Sequence, residues 1–168
     1  FDYLVKLELN TEKLERCIRY SLERAGTLKT LRSNERKFRS IFEKSKDAIF
    51  LTDQSLVFKD VNYSTIELLG YPREELLTLS LSQFFAGPEQ LAEINDRLKK
   101  DGEVEDVGVE LVNHNMEKLQ TILSLSMEMD ESDNLYIQGI IRDITNLKKA
   151  EKATLQAEKL GAANRLVR

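Results

Sequence analysis

The sequence contains one histidine and one cysteine, and its many carboxylates lie on predicted helix surfaces and turns, where solvation explains them. Its only histidine, His114, lies in the polar stretch VNHNME between two apolar segments, a context typical of a solvated turn. Its only cysteine, Cys17, cannot form an internal disulfide, which fits a reducing cytoplasm. The sequence has no nucleophile elbow, phosphate-binding loop, paired catalytic carboxylates or cluster at metal-ligand spacing. We therefore expect neither an enzymatic activity nor a metal site in this chain.

Composition limits the classes of protein to which the chain can belong. Its 168 residues are 41% hydrophobic and 32% charged, which suits one globular domain with additional exposed helix. The net charge of −4 argues against a nucleic-acid partner. No apolar run approaches the roughly 20 residues that cross a bilayer, so we expect no membrane insertion. The chain begins with Phe1 and ends inside a helical pattern, and we expect it to be a piece of a longer, cytoplasmic protein.

The first third of the chain is dominated by helical periodicity. From Asn10 onward, apolar residues recur at helical spacing in two successive stripes on either side of Gly26. The stripes are Leu14, Ile18, Leu22 and Ala25, followed by Leu28, Leu31, Phe38 and Phe42. This pattern fits either one bent helix or two helices in line.

Alternating apolar residues predict five strands in the rest of the chain, with several short helices between the second and the third. The strands are expected at 48–53, 55–61, 105–113, 118–129 and 135–145. Asn62 is expected to cap a short helix that Gly70 ends, and Gly102 is expected to end an amphipathic helix over 89–100. This order predicts the α+β class, with a five-stranded antiparallel sheet and helices on one face.

The stretches that open, centre and close this region resemble a PAS domain. They are NERKFRSIFEKSKDAIFLTD, VNYSTIELLGYPREEL and, at 139–145, GIIRDIT. The resemblance implies a sensor domain over 46–145. It also implies that Asp143 and Thr145 of the Asp-Ile-Thr motif make hydrogen bonds that tie the last strand to the entry of the first. Family members usually have a glycine near the first turn, where this chain has Gln54 and Ser55.

The last predicted strand is followed by a helix without any linker. Thr145 is expected to cap that helix, because its hydroxyl can accept an N–H bond from the first turn. A strain in the sheet would then reach the helix directly, and Asp143 and Thr145 are candidate signal-coupling residues. The alternative is that the motif only ends a strand and caps a helix.

The C-terminal helix, 146–168, carries small and apolar residues at alternating spacings of three and four, the pattern of a coiled-coil seam. The seam consists of Ala150, Ala153, Ala157, Leu160, Asn164 and Val167. An asparagine on a seam commonly fixes register and partner number, and the small neighbours make the seam weak enough to shift. We expect a homodimer through this helix; the alternative is an amphipathic helix packed on its own domain.

Both ends of the chain resemble parts of two-component signalling proteins. EKLGAANRLVR, at 158–168, resembles the start of the dimerisation helix of a sensor histidine kinase. Residues 2–24 resemble the end of a response-regulator receiver domain, which implies that Lys6 is the lysine that contacts the phosphorylated aspartate there. These resemblances imply a receiver remnant over 1–24, a linker helix over 25–45 and a coil leading into a kinase over 146–168. The receiver and kinase domains of the parent chain would be its partners.

The sequence offers no covalent or axial ligand for a cofactor. No histidine lies on the helix 89–100 to bind haem, and no cysteine lies within 46–145 to bond a flavin. No cofactor is predicted, and a non-covalent small molecule or flavin is left open. A candidate pocket between the sheet and the helices would be lined by Leu69, Phe84, Phe85, Ile94, Leu123 and Leu125. The alternative is plain core, which is what apolar residues at these periods more often form.

These implications together predict a sensory module of a two-component histidine kinase that relays an input through its flanking helices. Three alternatives stay open. The chain could be a constitutive dimerisation module without a ligand, a domain whose small-molecule ligand sets the output, or a module that controls a diguanylate cyclase.

Overall fold

The computed structural model describes residues 11–166, which fall into two units that divide after Phe42. Helix α1, Thr11–Lys44, runs without interruption through Gly26, so both apolar stripes belong to one helix. Within it, every side chain over 13–41 is exposed. Residues 1–10, the first part of the predicted receiver remnant, lie outside the described residues.

The second unit contains one sheet and a series of short helices. Its elements are β1 (Ala48–Thr52), β2 (Phe58–Val61), α2 (Tyr63–Leu69), α3 (Arg73–Leu76), a 3-10 turn (Leu81–Phe84), α4 (Pro88–Asp101), β3 (Glu103–Val112), β4 (Lys118–Met129), β5 (Leu135–Asp143) and α5 (Thr145–Leu166). The sheet order is β2-β1-β5-β4-β3, and all neighbouring strands are antiparallel. The predicted class, sheet and flanking helices are confirmed. The last strand ends at Asp143 rather than Thr145, because Thr145 already begins α5.

Asn62 caps α2 as expected and also holds the start of β1. Its side-chain oxygen accepts the N–H groups of Thr65 and Ile49, both at 3.0 Å. Its side-chain nitrogen donates to the carbonyl of Asp47 at 3.0 Å. Because Asn62 is fully buried, these backbone groups would have no water to replace it. Gly70 and Gly102 end α2 and α4 in the left-handed conformation, also as expected.

The turn between β1 and β2 forms without the glycine that the family usually has there. Asp53 organises it, since its carboxylate accepts the N–H groups of Ser55 and Val57 at 2.9 and 3.1 Å. Leu56 takes the left-handed conformation with φ 62°. Its side chain is 4% exposed and belongs to the core, and this burial offsets the unfavourable backbone.

Phe50 occupies the centre of the unit because position 139 has no side chain. A Cβ atom placed on Gly139 would lie 2.1 Å from Cζ of Phe50. The ring of Phe50 is fully buried and packs edge-on against Phe58 at a centroid distance of 5.3 Å. The interior is therefore filled by a large ring that needs a glycine on the neighbouring strand.

We expect Gly139→Ala to lower the free energy of unfolding by about 3 kcal/mol, because the rigid ring of Phe50 cannot yield to the added methyl group. Denaturant unfolding measures this. Gly108→Ala is the matched control, since nothing lies within 4 Å of a Cβ at that strand position. Adding Phe50→Leu to Gly139→Ala should recover part of the loss; a double variant less stable than both single variants would contradict the packing argument.

Candidate functional site

The junction between β5 and α5 is a single residue, Ile144. Its N–H donates to the carbonyl of Gln120 on β4 at 2.9 Å, which continues the pairing of the two strands. Its carbonyl accepts the N–H of Lys148 at 2.9 Å, which is the first hydrogen bond of α5. The same residue thus ends the sheet and begins the helix, and no slack segment separates them.

Thr145 completes the sheet at this junction with its side chain. The N–H of Gln120 donates to the Thr145 hydroxyl at 3.0 Å. In a regular antiparallel ladder the carbonyl of Ile144 would accept the N–H of Gln120. Here that carbonyl accepts the N–H of Lys148 in α5 instead. The hydroxyl stands in for it and keeps a part-buried N–H satisfied.

The residue that caps α5 is Asp143, and the expectation that Thr145 does so is wrong. The Asp143 carboxylate accepts the N–H of Thr145 at 2.8 Å and its hydroxyl proton at 2.5 Å. The Thr145 hydroxyl cannot serve the first turn because it faces β4. A carboxylate at the start of a helix also interacts favourably with the helix dipole. Asp143 and Thr145 therefore act as one unit that joins β4, β5 and α5.

The tie between the last strand and the entry of the first is made by a different pair from the one that the resemblance implied. Within the described residues, the hydrogen bonds of Asp143 and Thr145 go to each other and to β4. The connection to the entry of β1 is made by Arg142, whose Nη2 lies 3.0 Å from Oδ2 of Asp47. The hydrogen bond to Asp47, followed by its charge, raises the pKa of the Arg142 guanidinium.

Arg142 and Asp47 connect the two ends of the sensor unit. Asp47 comes three residues after Lys44, where α1 ends, and Arg142 immediately precedes Asp143, the cap of α5. The pair is largely exposed, with side-chain exposures of 61% and 33%, so it is screened by water and salt. Such a pair contributes little to the stability of the fold.

A second ionic cluster fixes the last turn of α1 to the same unit. Glu43 accepts from Nη1 of Arg73 at 3.2 Å and from the N–H of Tyr63 at 3.0 Å. Arg73 also bonds Asp60 on β2. The end of α1 is thus connected to β2, α2 and α3. Sequence reasoning missed this cluster and the Arg142–Asp47 pair, because their members lie far apart in the chain.

The residues proposed to line a pocket all lie in or against one hydrophobic core. Leu69, Ile94, Leu123 and Leu125 are at most 2% exposed, Phe84 is 4% exposed, and Phe85 packs against them half-buried. Thr52 lies on the same inner face and is fully buried. Its hydroxyl finds no hydrogen-bond partner among the described residues.

The remaining candidate residues lie on exposed surfaces or outside the described part of the chain. His114 is exposed in the turn between β3 and β4, where its ring meets that of Tyr71 at 4.5 Å. Cys17 is exposed on α1. The described seam residues are all exposed on one stripe of α5: Ala150, Ala153, Ala157, Leu160 and Asn164. Val167 and Lys6 lie outside the described residues.

Residues 11–166 provide neither a cluster of metal ligands nor a membrane-spanning helix. No group of three or more metal-ligating side chains is close enough to hold an ion. No helix in this range combines the length and the hydrophobicity needed to cross a membrane.

Comparison with known proteins agrees with the fold. The family model described as PAS domain matches residues 46–146. A curated relative, the methyl sulfide methyltransferase-associated sensor of Methanosarcina acetivorans, is 26% identical over 138 residues, which are 79% of this chain and 13% of the relative. This chain therefore spans only a small part of that protein.

Solved structures of PAS domains superpose on the same region. One is a domain of the sensory box sensor histidine kinase/response regulator from Geobacter sulfurreducens, with 25% identity, 67% of this chain and 96% of that chain covered, and a TM-score of 0.56. Another is a PAS domain from a two-component sensor histidine kinase, with 18% identity, coverages of 66% and 97%, and a TM-score of 0.57. The family match covers more than half of the chain, and the chain belongs to the PAS-domain family.

Proposed function

We propose that this chain is the sensory and regulatory PAS module of a cytoplasmic two-component histidine kinase, and that it relays an input through α1 and α5 to an output domain. The observation that carries the proposal is the single-residue junction at Ile144, which couples sheet geometry to the direction of α5. The likeness to domains of sensor histidine kinases supports the kinase context. In the parent chain a receiver domain would precede this module and a kinase would follow it.

The relay uses the weak contacts at the two ends of the sheet. A change at the end of α1 would alter the Arg142–Asp47 pair and, through it, the last residues of β5. Because Asp143 bonds to Thr145 and Thr145 bonds to Gln120, a twist of β5 would turn the first residues of α5. The alanine-rich seam of α5 would then move between two pairings that differ little in free energy. A ligand or partner shifts such an equilibrium only by its different affinity for the two states.

Asp143→Ala and Thr145→Val should each uncouple input from kinase output in the parent protein while the PAS fold is retained. In the isolated chain, Thr145→Val should cost about 1 kcal/mol and accelerate hydrogen exchange at the amide of Gln120, because that N–H loses its acceptor. Thr145→Ser keeps the hydroxyl and should behave as the unaltered chain.

Thr154→Val is the matched control for the junction. Its hydroxyl bonds the carbonyl of Ala150 within α5, at 3.0 Å, and lies away from the sheet. It should change neither the kinase output nor the exchange of Gln120. If Asp143→Ala leaves the regulation of the parent protein intact, the relay through this junction is wrong.

The Arg142–Asp47 pair can be tested by exchanging its charges. Arg142→Asp and Asp47→Arg should each alter the response of the kinase to its input, because each places like charges across the connection between the two ends. The double exchange should recover the response. The melting temperature of the isolated chain should change little, since the pair is exposed. If the unaltered protein, the two single variants and the double variant all respond equally to the input, the pair takes no part in the relay.

A second candidate function, binding of a small molecule in the interior, is favoured by the unpartnered hydroxyl of Thr52. A buried hydroxyl without a partner is costly, and a ligand polar group could satisfy it. The packing of Phe50 against Gly139 argues for a filled interior instead.

The effect of Thr52→Val on the free energy of unfolding and on any bound mass distinguishes a filled interior from a ligand-binding one. In a filled interior, removing the unpaired hydroxyl should raise the free energy of unfolding by about 1 kcal/mol. With a ligand bound to the hydroxyl, the chain purified from cells should show an added mass in native mass spectrometry that Thr52→Val reduces or abolishes. A chain without added mass that Thr52→Val stabilises would rule out the binding function.

A further inference from the structure

The middle of α1 contains a residue that weakens a helix without any packing reason for its presence. Gly26 lies inside a helix of 34 residues, where glycine is less favourable than alanine because its backbone loses more freedom when it is ordered. A Cβ atom at this position would meet nothing within 4 Å. Space would therefore allow a better helix former here, and the glycine makes this part of α1 easier to distort.

Two threonines add to this weakness on the C-terminal side of the glycine. The hydroxyl of Thr27 donates to the carbonyl of Glu23 at 3.0 Å, and the hydroxyl of Thr30 donates to the carbonyl of Gly26 at 3.1 Å. In an α-helix each of these carbonyls is also the acceptor for the N–H of the same threonine, so side chain and backbone share one acceptor. Such bonds slightly destabilise helices and often bend them. We call residues 23–30 the Gly26 segment.

The charge pattern supports the two flanks of α1 more than its middle. Arg19 follows Glu15 by four residues, and Arg39 follows Glu35 by four, the spacing at which opposite charges stabilise a helix. The sequence from 24 to 31 contains two charged residues, both basic, and neither has an acidic residue three or four positions away. The same kind of local support is therefore missing around Gly26.

Packing against other parts of the described chain does not compensate for this. Every side chain over 13–41 is exposed. Near its C-terminal end α1 is supported locally, since the rings of Phe38 and Phe42 stack with their centroids 5.9 Å apart. The Gly26 segment has no such ring pair, and its order depends on backbone hydrogen bonds with which water competes.

We propose that the Gly26 segment is a hinge, at which α1 bends while residues 11–22 and 31–44 remain straight helices. The hinge allows the N-terminal half of α1 to change direction without turning the C-terminal half. Its use in signalling rests on the proposed function, in which α1 carries the input. The bend itself follows from the residues of this helix.

The distance between two spin labels, measured by pulsed electron paramagnetic resonance on the full chain, tests the bend. One label is placed on Cys17, which is exposed, and the other on Glu35→Cys, so that Gly26 lies midway between them. In a straight helix these positions lie on the same face, about 27 Å apart along the axis. Bending should give a broad distribution with shorter and longer distances. Dilution with unlabelled chain restricts the measurement to labels within one molecule.

Gly26→Ala should reduce the width of this distribution by about half, because alanine favours the straight helix. The double variant Thr27→Ala/Thr30→Ala should narrow it as well, since both competing hydroxyls are removed. Gly161→Ala in α5 is the matched control, because a Cβ atom there also meets nothing within 4 Å, and it should leave the distribution unchanged. A single narrow distance both before and after Gly26→Ala would overturn the proposal.

Hydrogen exchange locates the bend without labels. The amides of Thr27 and Thr30 should exchange faster than those of residues 17–22 and 35–40, because bending opens their hydrogen bonds. Gly26→Ala should slow the exchange of these two amides by about fivefold. Equal exchange along the whole helix would overturn the hinge.

Neither measurement involves the kinase. A failure of the Asp143→Ala test would therefore leave a confirmed hinge standing, and the absence of a hinge would leave the relay at the β5–α5 junction intact.

Discussion

Ile144 takes part in two hydrogen-bonded systems at once, because its N–H belongs to the sheet and its carbonyl belongs to α5. A backbone carbonyl that has turned into a helix no longer completes a β ladder, so Gln120 needs another acceptor. The hydroxyl of Thr145 supplies it, and the carboxylate of Asp143 orients that hydroxyl and caps the helix. The direction in which α5 leaves the domain is therefore set by the sheet itself.

The interactions of the sensor unit differ in strength between its interior and its ends. Inside, Phe50 and Gly139 fit each other closely, and the buried side chain of Asn62 bonds three backbone groups, so the centre has little freedom. At the ends, the exposed Arg142–Asp47 pair joins the last residues of β5 to the entry of β1 by a contact that solvent can replace. The contacts at the ends of this unit are therefore easier to exchange than those in its interior.

Local chemistry made much of this fold predictable. The bounds of β4 follow from strict alternation, and the roles of Asn62, Gly70 and Gly102 follow from the backbone requirements of helix ends. The roles of Thr145 and Arg142 were not predictable in the same way. Their partners are Gln120 and Asp47, 25 and 95 residues away, and only the order of the strands brings them together. Leu56 shows another limit, since its unfavourable backbone is tolerated only because its side chain is buried.

The close fit of Phe50 to Gly139 means that the residues at positions 50 and 139 constrain each other. The ring lies on the same inner face of β1 as Thr52, the one described side chain with a buried polar atom that lacks a hydrogen-bond partner. A smaller residue at position 50 would leave unfilled volume next to Gly139 and within the apolar core. The filling of the interior is thus set by one pair of positions on neighbouring strands, 50 and 139, so that substitutions there can change what the interior holds without changing the order of the strands.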